Sequence, residues 1–266
     1  MKNRKYAKHR FLVLLLTGMM ACTACKMEGK DMNQTRDWSA NELAMLESVG
    51  ADSERIEKNE LFQGERRMLE ALAQAENYLQ ARYPDETMCF VDVDNSLANA
   101  QTYTFSVISS AAEEEPFIAK LFVNPDENGE DDIRDSRFGV VKQAELQTLV
   151  LKVLEELQIP AVCNMELVGL YGAEYDPSKP LTELLASGQL VNVYGRIYAE
   201  QSAVPENIDQ LLAMVLRGKG LCSAVRLLLV KDGTLDKAPE LPLWNNPYIV
   251  SDQTVLLPAT IATEVE

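Results

Sequence analysis

Histidine is almost missing from this sequence: among 266 residues the only one is His9, inside a basic stretch at the start. If that stretch is removed on maturation, the body carries no imidazole. A Ser-His-Asp or Cys-His pair, a zinc site with histidine ligands and a histidine general base are then excluded. Enzymes that work with two carboxylates, a Ser-Lys pair or calcium survive that cut. Positive charge is scarce as well, with 25 Lys and Arg against 41 Asp and Glu. A chain this acidic is repelled by phosphate backbones and anionic headgroups, so no nucleic acid partner is expected. There is no apolar run long enough for a stable membrane span, and no phosphate loop. The glycines of Arg217-Gly218-Lys219-Gly220 follow a helical stretch instead of opening one, as a helix stop with basic residues complementing the dipole does.

What is present at the start is ordered. Lys2, Arg4, Lys5, Lys8 and Arg10 form a basic region without an acidic residue, Phe11 to Met20 form a short apolar run, and Ala21-Cys22-Thr23-Ala24-Cys25 follow. That order is a secretory signal. The segment Met19-Met20-Ala21-Cys22 resembles the lipobox of bacterial lipoproteins, although that family usually has Leu where Met19 stands. The resemblance implies that Cys22 is lipidated and becomes the mature N-terminus; Cys25, preceded by Ala24, is the second choice. An ordinary signal cut after Ala24 is the competing reading. Two acyl chains, each buried CH₂ contributing about 0.8 kcal/mol, anchor a protein without a membrane-spanning helix. Loss of residues 1–21 takes five positive charges with it and lowers the net charge from −16 to −21. Cys89, Cys163 and Cys222 remain, all in strand-like apolar runs and at spacings unsuited to zinc. Buried, unpaired thiols are expected there, and an oxidising location leaves a disulfide among them open.

The body reads as α+β. After a polar tether over 22–38, Ser39 and Glu42 form a capping-box signature for a short helix. A longer helix over 59–82 carries Leu61, Met68, Leu72, Ala75 and Leu79 on one stripe. The period then becomes two: Cys89, Val91 and Val93; then Tyr103, Phe105 and Val107; then Phe117, Ala119, Leu121 and Val123. A helix followed by an antiparallel three-stranded meander is similar in element order to the cystatin-like arrangement, which implies nothing about activity. A second strong helix is expected over 142–158, stopped by Pro160. A mixed α/β half follows, with strands over 161–171, 189–199 and 221–230, a short helix over 181–186, a helix opened by Pro205 and a last strand near 254–257. The expected division is 39–159 and 160–266, with one domain spanning both as the alternative.

Two patterns carry candidate chemistry. Asn124, Asp126, Asn128, Gly129, Glu130, Asp132 and Asp135 are spaced like the ligands of an EF-hand calcium loop, which the family closes with a bidentate Glu. Here position one is Asn124, position twelve is the shorter Asp135, and a strand enters where the family has a helix. The competing reading is a solvated acidic connection turning at Asn128-Gly129. The second pattern is aromatic. Tyr194, Arg196 and Tyr198 share strand parity, and with Trp244 they are the expected binding surface. No pair among 41 acidic residues stands out for glycoside hydrolysis. The expectation is a membrane-anchored, extracytoplasmic lipoprotein of the cell envelope that acts without catalysis as a binding or assembly-accessory module. A solute-binding lipoprotein of a transporter and a histidine-free extracellular hydrolase are the alternatives.

Overall fold

A computed structural model describes residues 36–94, 101–124 and 131–258. The leader, Cys22, Cys25 and the middle of the acidic loop (Asp126, Asn128, Glu130) lie outside the described residues. The expected tether ends in the fold: Trp38 packs on the core, and its indole N–H donates to the Ile56 carbonyl at 3.2 Å.

Helix α1 spans Ala40–Ser48, and its capping box is formed, with Ser39 Oγ accepting from Glu42 N at 3.1 Å and Glu42 accepting from Ser39 N at 2.8 Å. Helix α2 covers Ser53–Glu57 and α3 covers Gln63–Arg82. The buried stripe of α3, with Met68, Leu72, Ala75 and Leu79 fully enclosed, meets an antiparallel sheet of β1 Met88–Asp94, β2 Thr102–Ser109, β3 Ala112–Phe122 and β4 Asp132–Asp135. Four strands in sequence order replace the three expected. The fourth is the end of the acidic stretch, held by pairing of Lys120 with Arg134 and Leu121 with Ile133.

In β2 and β3 the expected faces are buried. In β1 they are not. A register shift between Phe90 and Asp92 places both Phe90 and Val93 on the core side and leaves Cys89 and Val91 exposed. Phe90 then meets Phe105 edge-on at 5.5 Å between ring centroids, and its N–H donates to Asn41 Oδ1. Cys89 is consequently a surface thiol and Cys163 a half-buried one, while Cys222 is buried; all three are free.

Helix α4, Arg137–Glu156, begins five residues before the expected start and belongs to the second core. There Gly139 lies so close to Leu167 that a Cβ would sit 2.7 Å from the Leu167 carbonyl oxygen. The C-terminal sheet has the order β5 Ala161–Leu167, β6 Val191–Glu200, β7 Leu221–Val230 and β8 Ile249–Leu257. β6 and β7 are parallel, joined through α6 (Ile208–Gly218), and the outer pairs are antiparallel. With α5 (Leu181–Ala186), these helices cover one face of the sheet. The two hydrophobic cores therefore divide between β4 and α4, not at Pro160.

A polar seam joins them. Arg82, at the end of α3, donates to the carbonyls of Gly172 (2.8 Å) and Tyr175 (2.7 Å), and its Nε lies 3.1 Å from Asp135 Oδ2. Asp135 Oδ1 accepts from the Tyr83 hydroxyl at 2.8 Å and from Phe138 N at 3.1 Å. Asp135 and Tyr171 exchange both backbone hydrogen bonds. Arg137 grips Glu86 with two contacts of 3.0 Å. Burial pushes the Asp135 carboxyl up, against the lowering effect of Arg82 and of its hydrogen bonds.

Candidate binding surface

Strand alternation gives the C-terminal sheet a second face, opposite the helices. On β6 it carries Asn192, Tyr194, Arg196, Tyr198 and Glu200; Val191, Val193, Ile197 and Ala199 point into the core and are fully buried. The register aligns this face into rows. Asn164, Arg196, Arg226 and Thr254 form one across β5 to β8, and Glu166, Tyr194, Ala224 and Leu256 form the next.

One end of the face is covered. Leu235, Leu243 and Tyr248, from the segment between β7 and β8, pack with Ala238 over Tyr198, Leu228 and Val230. Tyr198 is thus 2 % exposed, a core residue on the same face as Tyr194, which is 45 % exposed. Among the described residues no segment covers the end bearing Tyr194, Arg196, Arg226 and Leu256. Trp244, next to the packed Leu243, is 89 % exposed at the tip of a single-turn 3₁₀ helix.

The two arginines differ. Arg226 is engaged by Asp252 through both Nε (3.2 Å) and Nη2. That carboxylate, with Tyr194 nearby, raises the guanidinium above its ordinary value. Arg196 lies directly beside it on the neighbouring strand, is half-buried, and among the described residues its side chain makes no hydrogen bond or ion pair. Its other neighbour in register is Asn164, which is neutral. Between Tyr194 and Arg196, Gly195 lets β5 approach: a Cβ there would fall 2.3 Å from the Asn164 carbonyl oxygen.

Other sequence candidates are placed as follows. Asn124 and Asp131 meet at the ends of the acidic loop, where Asn124 N donates to Asp131 Oδ1 at 2.8 Å. Asp132 pairs with Arg134 on the surface, whereas Asp135 is turned inward and committed to the seam. Among the described residues no group of three or more His, Cys, Asp or Glu is arranged to hold a metal ion. Lys219 and Gly220 end α6, with Gly220 at φ 84°. A groove of about 630 Å³ lies between α4, α5 and the end of α6, with Leu149 and Leu185 on its walls and Lys152 and Lys219 at its rim. Two carboxylates line it, Glu145 and Glu156, and Glu145 is already used by Lys142 (2.7 Å) and by the N–H of Leu181 at the start of α5 (2.5 Å).

Among the described residues no helix is long and apolar enough to cross a membrane. No family model matches the chain, and no curated protein matches it. Among solved structures it is similar to a DUF5037 family protein from Ruminococcus gnavus ATCC 29149, at 13 % identity and a TM-score of 0.29, over 63 % of this chain and 78 % of that one.

Proposed function

We propose that this protein is a membrane-anchored, extracytoplasmic lipoprotein whose body acts as a binding or assembly-accessory module. Support for the anchor comes from the leader, with Cys22 as the lipidated residue. Support for binding comes from one observation, the uncovered face of the C-terminal sheet with Tyr194, Arg196 and Leu256. Contiguous aromatic and aliphatic surface with an arginine in its middle is the composition of a protein-contacting patch. On this reading the first half is a four-stranded elaboration of the cystatin-like element order and serves as a support for the second.

Crosslinking in cells, with fractionation and palmitate labelling, tests the proposal against a Cys22→Ala control. Label on Cys22, membrane recovery and a reproducible protein adduct that all disappear in the control are expected. An unlabelled, freely soluble wild-type protein would remove the anchor, and the absence of any adduct would remove the binding role.

A further inference from the structure

The uncovered sheet face carries both signs of charge, Arg196 and Arg226 with Asp252 and Glu166. Among the described residues nine cations, Arg226 included, have a carboxylate within reach, and Arg196 has none. Its position makes this costly. Arg226 sits beside it in the parallel pair, and like charges on adjacent strands repel. Asp252 neutralises Arg226 from β8 but is two residues out of register with the row that holds Arg196. Half-buried, Arg196 has lost part of its water without gaining an acceptor among the described residues. A guanidinium in this state is a ready donor to a carboxylate, which it binds through two parallel N–H contacts.

The surroundings restrict what brings that carboxylate. One row away, Tyr194, Ala224 and Leu256 form an apolar strip that ends at the exposed Glu166 on β5, with Leu256 67 % exposed. A sheet surface is flat, whereas small ligands are held in concave sites that enclose most of their surface. Flat ground with an apolar strip and a charged row fits a polypeptide that lays an apolar side chain on the strip and an acidic one on the arginine.

We propose that this face docks an acidic protein segment, with Arg196 holding an Asp or Glu carboxylate and the Tyr194–Leu256 strip taking an adjacent apolar residue. The inference rests on the binding-module reading above and specifies the partner's chemistry. In the full-length protein in cells, a photoreactive benzophenone side chain at the position of Leu256 is compared with one at Met214, which is 66 % exposed on α6. An adduct is expected at Leu256 but not at Met214, mapping by mass spectrometry to a partner segment containing Asp or Glu. Arg196→Glu should lower its yield at least tenfold, and Arg196→Lys, which keeps the charge but loses the fork, should lower it less. The melting temperature should stay unchanged in both variants. An adduct indifferent to Arg196→Glu, one mapping to a segment without acidic residues, or one with a second copy of this chain would overturn the proposal. An adduct at Met214 alone would remove this surface and keep the binding module; none at either position would remove both.

Discussion

Each of the two sheets has one face buried under helices and one turned outward, and the outward faces are built differently. On the N-terminal sheet the outer row of β2 is Thr102, Thr104, Ser106 and Ile108, and Lys120 and Arg134 lie across from it with their charges over Phe122 at 5.1 and 5.7 Å. Phe122 there is roofed by two cations, while Ile108 and Ile118 are half-buried and Val91 is exposed. On the C-terminal sheet half of the face is closed by the chain's own 235–248 segment and half is left open, with an arginine that has no partner among the described residues and a leucine in water. An exposed sheet face is therefore no sign of a binding role by itself. What distinguishes the second face is that its chemistry is unfinished.

The largest expected effect comes from uncoupling the two sheets. Arg82→Met leaves Asp135 buried without its counter-charge and should cost about 3–5 kcal/mol in denaturant unfolding. The double change Arg82→Met with Asp135→Leu should cost less than the single one, because no charge is then stranded. Next, Tyr198→Ala, under the covering segment, should cost about 3 kcal/mol. Gly195→Ala forces β5 and β6 apart and should cost about 1–3 kcal/mol. Its added consequence is a displaced Arg196, visible as lost crosslinking at Leu256.

A pH measurement separates two carboxylates of opposite behaviour. Burial pushes the Glu145 carboxyl up, but the Leu181 amide and Lys142 outweigh it, and the group ends below its ordinary value of 4.5. Its contribution is present above that value and is lost as pH falls through the lower folded value. Glu145→Gln should therefore flatten the fall in stability below pH 4.5, as measured by urea midpoints. Asp135, raised by burial, has the reverse sign: the folded protein takes up its proton first, and the group adds nothing to acid unfolding. The smallest effect is expected for Tyr194→Ala, within about 0.5 kcal/mol of wild type. A large loss there would mean that the open half of the face is as structural as the covered half.

Where local pattern decided the structure, the sequence was readable. The Ser39–Glu42 cap, the α3 stripe, the alternation of β2 and β3 and the α5 boundaries all follow from short-range rules. The failures have tertiary causes. β1 breaks parity at a bulge that no propensity encodes, and β4 is four residues long with only Ile133 as an apolar signal. The first turn of α4 is fixed by Arg137 reaching Glu86, fifty-one residues earlier. Asp135, spaced like a calcium ligand, is instead the partner of Arg82 at the end of α3. The surface was half legible. Period two put Tyr194, Arg196 and Tyr198 together, but strand register was needed to add Arg226 and Leu256 and to reveal the cover over Tyr198.

The reciprocal backbone pair between Asp135 and Tyr171 offers a clock. Its two amides, bonded at 3.1 and 2.8 Å, belong to neither sheet's interior ladder. Deuterium can enter them when the two halves part, while the central strands stay closed until the whole chain unfolds. Their exchange rate, set against that of Val225 or Phe105, measures how often the protein hinges open without losing either core.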